Sequence, residues 1–350
     1  MRAIADVERA VPAPAIRRRR WSYWLLLGLP VPLFALALLV GRYPIDVGDV
    51  ARTLLSPVAP GLAAGVPDAA QTLVLRVRLP RALAAALIGA SLASTGAAFQ
   101  GIFKNPLVDS NLLGVTSGAG FGAALAILLT GDMLHVQVSA FVFGLVAVAL
   151  AFFGSRLYNT APMIVLTLMG VLIGSFFASL TSLLKTLADP LNALPAITFW
   201  LLGGLTSVTW ADIPLLTFIT ASGAVFLWLI RWRLNILSLG DAEATVLGVN
   251  PARLKLVIIV CATLMTAIAV SVGGVIGWVG LVIPHAGRIL VGPDHKRLLP
   301  ASLSLGAAFL LVIDNIARNL GAAEVPLGVL TGIVGVPVLI LLLRRNRVGW

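Results

Sequence analysis

Arg78 and Arg81 lie one helical turn apart around Pro80, and Arg318 follows Asp314 by four residues, the spacing of an ion pair on a helix. Guanidinium groups of this kind recognise carboxylates bidentately. Gln100, Asn105, Asn111, Thr116 and Ser117 gather amides and hydroxyls around Pro106. They either line a gate or satisfy backbone groups freed by a broken helix. Leu237–Val249 is helix-compatible and sets Asp241 and Glu243 among Leu239, Ala242, Ala244, Val246 and Leu247. Such an amphipathic stretch either seats in a partner's groove or lies on a lipid surface.

Other chemistries lack their residues. The chain has no G-x-x-x-x-G-K-[ST] loop, so it does not hydrolyse ATP through a P-loop. His135, His285 and His295 are isolated, without a His-x-x-x-His pair for a metal. The single cysteine, Cys261, excludes a disulfide framework. No G-x-S-x-G motif and no carboxylate pair in a plausible cleft is present. Catalysis by this chain, and a cofactor bound to it, are therefore not expected.

The elements that must position these residues are membrane helices. Of 350 residues, 59% are hydrophobic and 11% charged, against about 25% charged in a soluble domain. Mean hydropathy is +1.02. Stretches free of Lys, Arg, Asp and Glu run over 21–41, 82–103, 110–131, 133–155, 157–184, 190–211, 213–230, 256–287, 298–313 and 325–343. The stretch 190–211, with Pro190, Pro195, Gly203 and Gly204, reads as a short helix and loop near the surface. The stretch 256–287, broken by Gly273-Gly274, reads as two short helices. Ten spans follow, several short or broken, and an even count puts both termini on one side.

Charge asymmetry chooses that side. With the N-terminus inside, 18 basic residues face the cytoplasm and 7 face out, namely Arg42, Arg52, Arg76, Arg78, Arg81, Lys185 and Arg318. This accounts for most of the net charge of +11 without nucleic acid. Arg17–Arg20 precede an apolar run of about 20 residues, longer than a signal-peptide core, so a retained first span is expected. The expected organisation is a cytoplasmic tail over 1–20, a permease domain over 21–343 with a cytoplasmic connection at about 231–255, and a second tail over 344–350. Ionisable groups at mid-span are scarce, which weakens a stand-alone secondary carrier.

Five segments, in order, carry a further signal: Arg78-Leu79-Pro80-Arg81 running into Ala82–Gly101; Lys104-Asn105-Pro106-Leu107 with Leu113–Ala119; Leu237–Asp241 with Ala244 and Leu247-Gly248-Val249; Gly280–Arg288 with Gly292–Lys296; and Asp314 through Arg318 to Pro326-Leu327-Gly328 and Gly335-Val336-Pro337. In this order they resemble the permease subunit of ABC importers for iron-siderophores, haem and cobalamin, the FecCD-type family. The resemblance covers roughly 21–343. Lys104 stands where the family usually has Arg, and Ser110 where it often has Pro.

The resemblance implies a homodimer with a path along the subunit interface in the bacterial inner membrane. It also implies two cytoplasmic ATPase subunits, which hold ATP and magnesium, and a periplasmic binding protein. Arg78, Arg81 and Arg318 would then pair with carboxylates of the binding protein. Leu239, Gly240, Asp241, Ala244, Leu247 and Gly248 would form the coupling helix against the ATPase. Gln100, Asn105, Pro106, Thr116 and Ser117 are the candidates for the path or gate, with the fifth span (Met163, Met169, Ser175, Phe176, Ser179, Ser182) as a wall. An iron chelate is the expected cargo, followed by haem, cobalamin or an oxyanion such as molybdate.

Overall fold

The computed structural model describes residues 23–157, 162–321 and 323–345. The expected N-terminal tail lies outside them. Among the described residues the chain is helical and has no strand. The main helices are α1 (Tyr23–Leu39), α2 (Val47–Leu55), α3 (Asp68–Phe103), α4 (Val115–Leu129), α5 (Met133–Ser155), α6 (Pro162–Leu187), α7 (Ala193–Leu202), α8 (Ile213–Leu239), α9 (Asp241–Val246), α10 (Pro251–Gly273), α11 (Val279–Val291), α12 (His295–Asn319) and α13 (Leu327–Arg345). Six of them, α3, α5, α6, α8, α10 and α12, are long and apolar enough to cross a membrane; α1, α4, α7, α11 and α13 are apolar but shorter.

The 36-residue α3 is the centre. It packs against α8, α10, α11 and α12, and 78% of its most apolar window is buried, against 17% for α6. Its sequence explains the position, because Ala, Gly and Ser dominate Ala82–Gly101 and let neighbours approach to backbone distance. A methyl group on Gly89 would come 2.2 Å from the carbonyl oxygen of Gly306, and one on Gly306 would come 2.2 Å from that of Gly89. Charge-free counting starts this helix only at 82. In the structure it begins fourteen residues earlier, because Arg76, Arg78 and Arg81 are carried inside a continuous helix. A π-helical turn over Leu73–Arg78 precedes Pro80, which lacks the N–H for a regular turn there.

The break expected at Gly273-Gly274 is present: α10 ends at Gly273 and Gly274 takes φ +68°. The two helices are unequal, however. α10 has 23 residues and is long and apolar enough to cross a membrane, and only the 13-residue α11 is short. The stretch 190–211 holds the short α7, whose carbonyl at Trp200 would lie 2.5 Å from a methyl group on Gly274. The C-terminal helix continues through Arg344 and Arg345.

Candidate functional site

Of the basic residues expected to face outward, Arg42 and Arg78 sit where two helices end. Arg78 donates from Nη1 to the carbonyls of Leu38 (2.8 Å) and Leu39 (3.0 Å), and from Nη2 to that of Tyr43 (2.5 Å). It thereby caps the C-terminus of α1, whose last carbonyls have no helical partner. Arg42 does the same for α12, donating to the carbonyls of Arg318 (2.8 Å) and Gly321 (2.7 Å). The negative ends of two helix dipoles thus hold Arg42 and Arg78, two of the basic residues expected on the side poor in positive charge.

Arg81 and Arg318 share Asp314. Arg81 donates from Nε to Asp314 Oδ1 at 2.9 Å and reaches the Glu324 carboxylate with both terminal nitrogens, at 3.0 and 2.8 Å. Arg318 Nε lies 3.1 Å from Asp314 Oδ2, an ion-pair distance although off-line for a hydrogen bond. Its Nη2 donates to Asn315 Oδ1 (2.8 Å) and to the Ala37 carbonyl (3.2 Å). Arg78, Arg81 and Arg318 are all buried, with exposures of 3%, 6% and 8%. The three arginines expected to meet a partner therefore use most of their donors internally. Above them opens a cleft of about 180 Å³ lined by Arg42, Arg78, Arg81, Arg318, Tyr43 and Glu324. Glu324 was not singled out from sequence; a lone carboxylate in a loop two residues before a proline carries no periodic signal.

In the connection expected over 231–255, α8 continues through Leu239 and α10 starts at Pro251, so 240–250 lies between the two helices. Gly240, with φ +152°, reverses the chain into α9. A Cβ at Gly240 would lie 1.9 Å from Glu243 Oε2. Ala244 is the buried anchor of α9, and Asp241 is tied to Lys255 Nζ at 2.7 Å. Leu239, Val246 and Leu247 are 64%, 87% and 56% exposed, an apolar face that nothing among the described residues covers. Gly248, with φ +76°, ends the helix.

The end of α8 is fastened by Asn235, which sequence reasoning missed. Its Nδ2 donates to Asp294 Oδ1 (2.6 Å), and its Oδ1 accepts the His295 backbone N–H (2.9 Å). Burial pushes the Asp294 carboxyl up, but the Lys296 N–H and the Asn235 amide outweigh it and hold the group below its usual range. The Asp-His start of α12 is a legible N-cap signal; its partner 59 residues away is not.

The path candidates divide into two groups. Asn111 and Ser117, together with Ser175 of α6, line an open cleft of about 290 Å³ between the 3-10 turn Ser110–Leu113 and α6. Thr116 hydrogen-bonds to Asn111 at its edge. Gly170 lets α6 approach this turn, since a Cβ there would lie 2.3 Å from the Leu112 carbonyl. Asp109 caps the turn through the Asn111 N–H (3.0 Å), and burial pushes its carboxyl up against that hydrogen bonding. Gln100 is elsewhere: it is buried, accepts from Arg288 and donates to the Gly280 carbonyl at 3.3 Å, joining α3 to α11. Asn105 caps the turn at Pro106 through the Leu107 N–H (2.9 Å). Thus Asn111, Thr116 and Ser117 come together, while Gln100 and Asn105 hydrogen-bond to backbone groups and Pro106 lies in the turn that Asn105 caps.

A glycine-packed bundle of apolar helices with an arginine-lined cleft, a short helix showing an exposed apolar face and no nucleotide loop is a multi-pass membrane subunit of the ABC-importer permease class. The chain belongs to the FecCD transport family, whose sequence profile matches residues 27–345. It is 38% identical over 330 residues to the molybdate import system permease protein MolB of Haemophilus influenzae, covering 93% of this chain and 96% of that one. It is 41% identical over 276 residues to a probable iron chelatin transport system permease protein of Helicobacter pylori, covering 79% and 83%. Among solved structures, an inward-facing conformation of a transporter assigned to the metal-chelate ABC type superposes with a TM-score of 0.83 at 36% identity, covering 92% of this chain and 98% of that one.

Proposed function

We propose that this chain is the transmembrane subunit through which an iron chelate, a ferric siderophore first, enters a bacterial cell across the inner membrane. Two copies flank the path, two cytoplasmic ATPase subunits holding ATP and magnesium drive it, and a periplasmic binding protein delivers the cargo. Ten crossings with both termini in the cytoplasm fit this reading. The six long helices cross, α1, α4, α11 and α13 complete the count, and α7 dips in and returns.

The observation that carries the proposal is the uncovered face of α6. It is the least buried of the long helices, at 17%, and it carries Ser175, Ser179 and Ser182 beside the Asn111–Ser117 cleft. The hydroxyls of Ser179 and Ser182 donate to their own helix, to the carbonyls of Ser175 (3.0 Å) and Ala178 (3.0 Å). A second copy facing this surface would enclose a path dotted with weak acceptors. None of the residues lining the cleft carries a charge, which suits a bulky chelate handed across without tight binding. The second reading is an oxyanion such as molybdate, favoured by the near full-length match to MolB; haem and cobalamin follow.

The test is to reconstitute the chain in vesicles with its ATPase and binding protein and to load the latter with a ferric siderophore, haem, cobalamin or molybdate. The ferric siderophore is expected to raise ATP hydrolysis most. Uptake by the chain alone, driven by an ion gradient, would overturn the reading in favour of a secondary carrier.

In the outer cleft, an acidic side chain of the binding protein would take the edge of Arg81 that Glu324 now occupies. Glu324 is a third exposed and half of a bidentate pair, so it competes with the incoming carboxylate. Glu324→Gln is expected to tighten docking three- to tenfold at low salt, from roughly 1 kcal/mol of removed competition, with the gain shrinking as salt rises. Binding of labelled binding protein to the reconstituted permease measures this. Unchanged docking at low salt would remove Glu324 from the interface.

A further inference from the structure

At its cytoplasmic end α8 carries Trp228, Arg231, Trp232 and Arg233 within six residues. The guanidinium carbons of Arg231 and Arg233 lie 4.3 and 5.4 Å from the ring centroids of Trp228 and Trp232. Both indoles are nearly half exposed, as in the aromatic belts found at headgroup level. Beside them a cleft of about 380 Å³ opens between α8 and α10. Its inner wall is apolar, built from Phe226, Ile230, Leu254 and Val257, and its cytoplasmic rim holds Arg233 and Arg253. The turn Leu247–Asn250, which leads out of α9, closes one end.

Charge and polarity define the occupant. Arg233 and Arg253 are both exposed, and among the described residues neither has a carboxylate within ion-pair distance. On the connection, Asp241 is already held by Lys255. Two unneutralised guanidiniums above an apolar wall, on helices that run into the bilayer, match a molecule with an anionic head and hydrocarbon tails. A soluble anion has no use for the wall, and an apolar partner has no use for the rim.

We propose that this cleft binds one anionic phospholipid of the cytoplasmic leaflet. The phosphate lies between Arg233 and Arg253, and an acyl chain lies along Phe226, Ile230 and Val257. Because the turn Leu247–Asn250 forms part of the wall, the bound lipid braces the segment that follows α9. The site stands on its own geometry; its effect on turnover rests on the reading of α9 as the ATPase contact, so the test is made on lipid retention first.

The full chain is purified in detergent with phosphatidylglycerol or phosphatidylcholine, and retained lipid is counted by native mass spectrometry. Phosphatidylglycerol is expected to be retained in preference to phosphatidylcholine. Arg233→Gln and Arg253→Gln each weaken retention about fivefold, the effect of one basic residue at an anionic surface. Arg233→Lys and Arg253→Lys keep it, and so does Arg52→Gln on the outer side. Inorganic phosphate in excess leaves the lipid in place. Equal retention of the two lipids by the unaltered chain, unchanged retention by the Arg233→Gln/Arg253→Gln double variant, or displacement by inorganic phosphate would each overturn the proposal. If retention behaves as expected but phosphatidylglycerol leaves ATP hydrolysis of the complex unchanged, the site stands and the coupling role of α9 falls.

Discussion

Replacing Gly96 by alanine disrupts the contact between α3 and α11 and is expected to remove most of the folded protein. The new Cβ would lie 1.9 Å from the carbonyl oxygen of Gly280 and 2.6 Å from its carbonyl carbon and Cα. A relaxed C···O contact is about 3.3 Å, so the two helices would have to part by roughly 1.4 Å. The obstacle is backbone on both sides, with no rotamer to turn away. Overpacking a core usually costs about 1–3 kcal/mol, and a clash that cannot be repacked belongs at or above the upper end. Separation would also break the hydrogen bond from Gln100 to Gly280, one turn along, and with it the seat of Arg288. Gly277→Ala is the control, because nothing lies within 4 Å of a Cβ there. Monodisperse yield and Tm in detergent should fall sharply for Gly96→Ala and barely for Gly277→Ala. Equal values for the two would show that α3 and α11 are not held this closely.

The second large effect is expected at Asp314. Its carboxylate is 1% exposed and lies between two guanidiniums. Asp314→Ala leaves buried cations without their counter-ion, a change that costs about 3–5 kcal/mol in other buried pairs. The loss falls unevenly. Arg81 keeps Glu324, whereas the only carboxylate paired with Arg318 among the described residues is Asp314. Asp314→Asn, which keeps the shape and one acceptor, should lose less. Asp314→Ala combined with Arg318→Leu should recover part of the stability, because the stranded charge is gone. A double-mutant cycle on Tm, repeated in high salt, measures the pair; a buried pair keeps its coupling in salt, where an exposed one is screened. Additive single effects would place these groups in water.

Helices were legible in the sequence wherever charge was absent and obscured wherever charge was compensated. The Gly273-Gly274 break and the short α7 were visible because glycine and proline act through the backbone and need no partner. The first fourteen residues of α3, the helical course of 231–239 and α2 were missed because their charged residues look like span ends. For α3 the compensation comes from distant segments, the carbonyls of Leu38 and Tyr43 for Arg78 and the carboxylates of Asp314 and Glu324 for Arg81. In α2 and 231–239 it is local, through Asp49 beside Arg52 and the rings of Trp228 and Trp232 beside Arg231 and Arg233. Asp314 and Arg318 were legible as a pair because four residues on a helix fix their distance. Arg81, 233 residues away from Asp314, was not. The same limit applies to the path: Asn111, Thr116 and Ser117 are close in sequence and meet in space, whereas Gln100 looks similar on paper and is taken by Arg288.

The position of α3 has a mechanical consequence. A helix enclosed on nearly all sides, and touching its neighbours through backbone rather than through pliable side chains, behaves as an axle with no slack. On the proposed function, opening to one side of the membrane and then the other would be a swing of the outer helices about it. Such a design separates the parts that may vary from those that may not. Cargo preference can drift along the rim through single substitutions, while the hub tolerates almost none.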